Sequence, residues 1–459
     1  MSFMLWAKIR YLRNRPREIA IVSLIFAWFV FVPQAHAGGL YVGDIEAVGL
    51  GQGGAYIASP ETLSAVSYNP AALAGPKGLR LELEGGFSSS PLTFKPSLSV
   101  AGASGIVQNQ QPYRPAFLAG VAYDFGIRDL GVAFVAYTPG DAHEAFSDYG
   151  AQKFQLISAT NTIIHFHLAA AYRLFKMFSV GMAFGGSYFS TTEKLAVSAA
   201  PFGDPEASDF TLPVNLSATQ PFIVTSNFGI RVEPIKQLAI GFSFMPPFDV
   251  NANGTIQIQL PPALTGVQLN GNHIVVNLRF PLIVRLGLRY RPLPQFSAEL
   301  AAVYEGWSRL KSADVVPDIT LNAPVLGFSN AKLPVISQTK NYRDLYSLRL
   351  GVEAKPLSFF QIRAGAYYET SATQANHFDI SAPDANKFAV TGGVSFKVWR
   401  IFIDATYAHI FPQSVLVTHS QNMLLNVVPG VTNTVAVGNG RYDFSYDLFH
   451  VGLRANFFD

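Results

Sequence analysis

The hexapeptide GLGQGG at residues 49–54 puts Gly49, Gly51 and Gly54 in G-x-G-x-x-G spacing. In a nucleotide-binding enzyme that spacing lets a helix N-terminus cradle a pyrophosphate. The same chemistry needs a strand ahead of the glycines, a long helix after them and an acid about twenty residues on. Twenty residues past Gly54 stands Ala74, in an Ala/Gly stretch without an acid. The glycines are therefore expected to serve close packing and positive φ, and no cofactor is expected. His165 and His167 point the same way on a strand, but no third metal ligand is identifiable, so they are expected in a polar network rather than around a metal. The absence of cysteine excludes disulfides, thiolate metal sites and cysteine nucleophiles. No Ser/His/Asp set can be assembled from spacing, and His450 lacks an identifiable nucleophile partner, so no enzyme is expected. Arg279, Arg285, Arg349 and Arg363 remain as chemistry-bearing groups, either balancing carboxylates or meeting an anionic head group.

The elements that position these residues begin with a targeting segment. Lys8, Arg10, Arg13, Arg15 and Arg17 precede an apolar run over 19–32, and Ala35-His36-Ala37 has the A-x-A form of a cleavage site. Residues 1–37 read as a secretory signal peptide, too short in its apolar run to span a bilayer. Its removal takes away five basic residues and one acid, which turns the chain's net +3 into about −1. The alkaline balance thus belongs to the signal, and no nucleic-acid partner is expected.

Charged residues make up only 14% of the chain, against about 25% in soluble domains, while Phe, Tyr and Gly number 37, 19 and 38. No apolar run after the signal approaches the length of a membrane helix. From residue 78 the pattern has a period of two. Over 276–291, Leu278, Leu282, Val284, Leu286, Leu288 and Tyr290 share one face, while Arg279, Arg285 and Arg289 share the other. Fourteen such strands are expected between 78 and 458. The links at 126–129, 176, 234–236, 292–294, 355–357 and 399–400 are short. They alternate with long ones at 90–112, 140–161, 191–221, 251–275, 311–341, 371–386 and 412–440. Short turns at one end, long loops at the other and an even strand number describe a transmembrane antiparallel β-barrel over 78–459. Closure satisfies every backbone group inside the hydrocarbon layer. Charges that share parity, such as Glu82 with Glu84 or Arg349 with Glu353, are assigned to the lumen. A phase slip near Asp447-Leu448 reads as a bulge in the last strand.

Residues 38–77 lack the period of two. Ser59-Pro60-Glu61-Thr62 has the form of a helix start, with the helix expected over 60–67. The segment is too apolar for a free tail and is expected inside the lumen as a plug. The small-residue run GLGQGGA, a helical stretch and Asn69-Pro70-Ala71 just before the first strand resemble the N-terminal hatch of the FadL family of outer-membrane transporters. The resemblance covers the whole mature chain. It implies a monomeric, hatch-plugged barrel in the outer membrane, with surrounding lipid and a hydrophobic small molecule as its partners, most of all long-chain fatty acids. It further implies sideways release beside a kinked third strand, here 130–139, and capture by loops such as 191–221 and 251–275, the latter carrying Leu260-Pro261-Pro262-Ala263-Leu264. The hatch motif Gly49, Gly51, Gly54, Asn69, Pro70 and Ala71 carries over residue by residue; the ligand contacts do not. Phe457-Phe458-Asp459 departs from the family's aromatic last residue. A general porin for polar solutes, a lipid hydrolase and a non-transporting structural barrel are the alternatives.

Overall fold

The computed structural model describes residues 46–457 other than 59, 98–104, 140–141, 201–206, 325–326 and 432–434. The signal peptide and the terminal Phe458-Asp459 lie outside the described residues.

Fourteen long strands form the wall. They are β1 (Leu79–Ser89), β2 (Tyr113–Tyr123), β3 (Leu130–Tyr137), β4 (Ser158–Phe175), β5 (Phe178–Ser198), β6 (Thr211–Ile235) and β7 (Leu238–Met245). They continue with β8 (Ile283–Leu293), β9 (Phe296–Glu305), β10 (Leu345–Leu357), β11 (Phe360–Glu369), β12 (Lys387–Val398), β13 (Ile401–Val417) and β14 (Gly440–Phe457). Each pairs antiparallel with the next, and Leu79↔Phe457 through Ser89↔Asp447 pair β1 with β14, which closes the barrel. Closure leaves the wall without an edge, as a lipid-facing sheet requires. Among the described residues no helix is long and apolar enough to cross a membrane.

Alternation sorts the two faces. On β4, Phe166, Leu168 and Tyr172 are exposed on the outside while His165, His167, Ala169 and Ala171 are buried inside. Leu286, Leu288 and Tyr290 do the same against Arg285 and Arg289 on β8. At the long-loop end, further strands stand on the wall: Asp249–Ile258, Gln268–Arg279 and Ser312–Ala323 pair with one another and with the upper part of β6.

Three expectations about the strands need correction. The strand expected over 276–291 is two, because β8 begins only at Ile283 after Phe280-Pro281-Leu282. Pro281 has no N–H for the ladder, and the strand is interrupted there. Arg279 therefore ends the outer extension, exposed and opposite Asp249, and does not share the lumen with Arg285. The bulge expected in the last strand lies on its neighbour: the β13–β14 register shifts between Ile410 and Gln413, across Phe411-Pro412, while β1–β14 keeps one register throughout. Even positions of β14 face inward from Tyr442 to Gly452. What changes near Leu448 is the chemistry of the lumen, which is apolar above and polar below.

β3 is the irregular strand of the wall. Its pairing with β2 stops at Leu118↔Tyr137, although β2 runs on to Tyr113 against β1. Just above it Phe117 N donates to Thr138 Oγ1 at 3.0 Å and Thr138 N to Phe117 O at 3.1 Å; higher still the gap is bridged by the Arg114–Glu144 ion pair and by Gln110 N to Ala145 O at 2.7 Å. The chain rejoins the sheet as Ala142–Ala145 on β4, one residue out of step with β3.

Candidate functional site: the plugged lumen

Residues 46–77 fill the lower lumen. They hold two short helices, α1 (Ala47–Gly51) and α2 (Ala65–Tyr68), and a 3-10 turn over Pro70–Leu73. The helix expected over 60–67 is thus shorter and later. Glu61 is drawn out of any first turn: its N–H donates to the Tyr56 hydroxyl at 2.6 Å and its carboxylate meets Arg291 at 2.9 Å, Lys355 at 3.2 Å and Arg289 at 3.4 Å. Burial works against that charge, but Lys355, Arg289 and Arg291 outweigh it and hold the Glu61 carboxyl below the ordinary carboxylate range.

GLGQGG includes the end of α1. The Glu46 carboxylate caps this helix, accepting from Val48 N at 2.9 Å and Gly49 N at 2.6 Å. The place where a pyrophosphate would sit is taken by the chain's own anion. Gly49 packs within the plug, where a Cβ would come within 2.9 Å of the Tyr68 ring, and Gly51 packs on the wall, where a Cβ would come 3.4 Å from Gly393 Cα. Gly54 has φ +69°, which favours glycine.

Asn69, fully buried, ties three segments together. Its amide donates to Ile57 O at 2.9 Å and to Ile230 O of β6 at 3.0 Å, and its carbonyl accepts from Ala71 N at 3.1 Å. Pro70 takes the first position of the 3-10 turn, where no N–H is needed.

The wall answers the plug's backbone with side chains. Glu84 accepts from Ala47 N at 2.7 Å, Glu82 from Leu63 N at 2.8 Å, and Glu299 from Ile57 N and, at 2.8 Å, Ala58 N. In the other direction Thr406 donates to Ala47 O at 2.6 Å, Thr391 to Gly51 O at 3.2 Å, Arg231 to Ala58 O at 2.9 Å, and Asn227 to Ser67 O at 2.7 Å. An irregular segment buried in a barrel has no ladder of its own, and its polar groups cost free energy if left unpaired. The lumen charges therefore act as a second set of backbone partners. Of the arginines singled out in the sequence, Arg285 donates to Ser67 O at 3.3 Å. Arg349 pairs with Glu369 at 2.9 Å and reaches Gly53 O, and Arg363 pairs with Glu353 at 2.9 Å. Arg285 and Arg349 tie plug to wall, Arg363 bonds within the wall, and Arg279 stands apart.

Wall glycines complete the fit. A Cβ on Gly131, Gly181, Gly241 or Gly365 would overlap plug backbone at Leu73, Pro70, Ile57 or Gln52. Sequence reasoning passed over these positions; lumen parity of a glycine on successive strands was the available signal.

His165 and His167 lie above α2 in a polar network: His165 Nδ1 with Ser187 Oγ, His167 Nε2 with Thr225 Oγ1 at 2.9 Å, and His167 Nδ1 with Tyr137 Oη at 3.4 Å. Above the plug the lumen becomes apolar. Leu50 on α1 begins one continuous cluster with Tyr367, Ala389, Ala408, Leu448, Phe444, Tyr442, Phe94 and Phe378. Beyond it, among the long loops, a small cavity is lined only by apolar residues, including Leu212, Ile258, Leu260, Leu264, Leu333 and Val428. At about 30 Å³ it has room for little more than a water, so any larger occupant must part these side chains.

With this geometry in hand, the chain can be set beside known proteins. Residues 29–447 match the family described as outer membrane protein transport protein (OMPP1/FadL/TodX). A Pseudomonas aeruginosa FadL homologue superposes with TM-score 0.72 at 15% identity, covering 92% of this chain and all of that one. The Ralstonia pickettii toluene transporter TbuX gives 0.65 at 14% identity, over 91% and 99% of the two chains. The Pseudomonas putida toluene transporter TodX gives 0.67 at 13%, over 91% and 100%. At these identities the likeness shows the fold. No curated protein matches the sequence.

Proposed function

As the chain belongs to the outer membrane protein transport family of FadL and TodX, a family of transporters rather than enzymes, we propose that it takes up hydrophobic molecules, long-chain fatty acids foremost, through a hatch-gated barrel with lateral release. The observation that carries this reading is the change of lumen chemistry along the axis. The apolar cluster from Phe94 and Phe378 down to Leu50 offers an oily path, and it ends on a plug sealed by polar contacts. A general porin keeps an open aqueous channel instead. An apolar molecule resting on Leu50 gains nothing by passing through the charged interface below, whereas a sideways step returns it to hydrocarbon. The seam where β2 and β3 cease to pair, above Leu118 and Tyr137, is the proposed exit.

One observation favours a second reading, neutral aromatic hydrocarbons. The loop cavity carries no charged side chain to meet a carboxylate, and Arg285, Arg349 and Arg363 are engaged by the plug or by glutamates. Uptake of labelled oleate and labelled toluene by cells expressing the chain, against Leu264→Asp, tests both. The proposal expects accumulation of at least one, reduced severalfold by Leu264→Asp with the barrel still folded. Equal accumulation with and without the chain contradicts it.

A further inference from the structure

Glu46 at the cap of α1 and Glu82 and Glu84 on β1 each bring one carboxylate oxygen within 4.8 Å of the others. The three residues are 0%, 5% and 3% exposed. One oxygen of Glu82 and one of Glu84 bind plug amides; the other oxygen of each, Oε1, is buried without a hydrogen-bond partner. The guanidinium groups nearby do not resolve this. Arg454 is forked onto Asp404 at 2.6 and 2.8 Å, and Arg80 and Arg454 act on the glutamates only at longer range, forming no ion pair with them among the described residues.

Unpaired buried carboxylates are costly, and neighbouring ones repel as well. A proton on these carboxylates or a cation among them relieves that cost. The donors are all oxygens, the choice of a hard cation. Ligand oxygens on opposite sides of a calcium ion, at about 2.3–2.6 Å each, stand about 4.6–5.2 Å apart and adjacent ones closer, so oxygens that all lie within 4.8 Å of one another can be spanned by a calcium ion.

We propose that Glu46, Glu82 and Glu84 form a calcium site that clamps the plug to the first wall strand. Glu46 comes from the plug, Glu82 and Glu84 from the wall, so the ion bridges the two parts that would have to separate if the plug moves. Waters complete the shell. The inference concerns metal binding and stands apart from the transport reading.

The test uses the full-length protein in detergent, freed of lipopolysaccharide and treated with EDTA, with calcium chloride as the probe at pH 7.5. Calorimetric titration is expected to show one saturable site per chain, with added calcium raising the unfolding temperature. Glu82→Gln/Glu84→Gln is expected to lose that site. If the double variant fails to fold, Glu46→Gln, which changes only the plug, is expected to weaken binding at least tenfold. Absence of saturable calcium binding by the unaltered protein overturns the proposal, and so does binding that survives undiminished in these variants.

Discussion

Asn69 is the single side chain on which the plug's fold depends most. Its amide serves Ile57 O within the plug, in a buried contact, and Ile230 O in the wall. Asn69→Ala removes both bonds and takes from the buried Ile57 O this partner, at a cost of about 1–3 kcal/mol. The expected outcome is a barrel that still resists SDS unless heated but admits ions, read as raised conductance in planar bilayers. Glu61 fixes the lower rim through Arg289, Arg291 and Lys355. Because its carboxyl is held below the ordinary range in the folded chain, its contribution is present above about pH 4.3, the unfolded value, and falls away as pH drops toward the folded value. Conductance is therefore expected to stay flat from pH 8 to about pH 5 and to rise only in stronger acid. Glu61→Gln should show the raised level at neutral pH. The side chain is 43% exposed, so solvent screens part of this pairing and the rise is expected to be modest.

At the scale of elements, period-two alternation made the wall legible. Lipid-facing apolar residues and lumen charges obey parity because the bilayer tolerates neither an unpaired backbone nor an exposed arginine. Alternation failed where the environment changes without the geometry changing. The expected slip in β14 mistook an apolar upper lumen, Tyr442 and Phe444, for a turned strand. Arg279 was assigned inward because a straight parity count runs through Pro281, whereas the buried positions switch across it from even, Val276 and Phe280, to odd, Ile283 and Arg285. The plug was legible as a segment but not in its internal structure. Its helices are four and five residues long, too short for periodicity to mark, and their ends are set by wall side chains distant in sequence. The wall glycines make a sharp contrast at this scale. Gly365→Val drives a side chain into the plug backbone at Gln52 and Gly53, with an overpacking cost of about 1–3 kcal/mol. Gly392, whose added Cβ would touch only Arg363 O at 3.9 Å, serves as the control. Gly365→Val is expected to loosen the plug, seen as faster proteolysis of the N-terminal segment, and Gly392→Val to leave it unchanged.

At the scale of the whole molecule, the structure joins an apolar funnel to a polar seal. The loops and upper lumen bury hydrocarbon-like side chains, whereas the plug–wall interface is built from carboxylates, guanidinium groups and amides. Deleting 38–75 should convert the barrel into an ion-conducting pore, since it removes the described plug residues that bond the inner wall. The central claim is that the plug, whose Leu63 packs with Leu118 and Tyr137 at the proposed exit, must shift to open the sideways path for an apolar molecule. The absence of cysteine permits a direct test. Gly51 of the plug and Gly393 of β12 face each other, with a Cβ on Gly51 coming 3.4 Å from Gly393 Cα, close enough for a disulfide once the Thr406 hydroxyl, which a Cβ on Gly393 would overlap, turns aside; Gly393→Cys alone is the control for that displacement. In Gly51→Cys/Gly393→Cys, oxidation ties plug to wall and reduction frees it. Uptake of labelled hydrophobic substrate should be blocked in the oxidised protein and recover on adding reductant; equal uptake in both states would contradict the account.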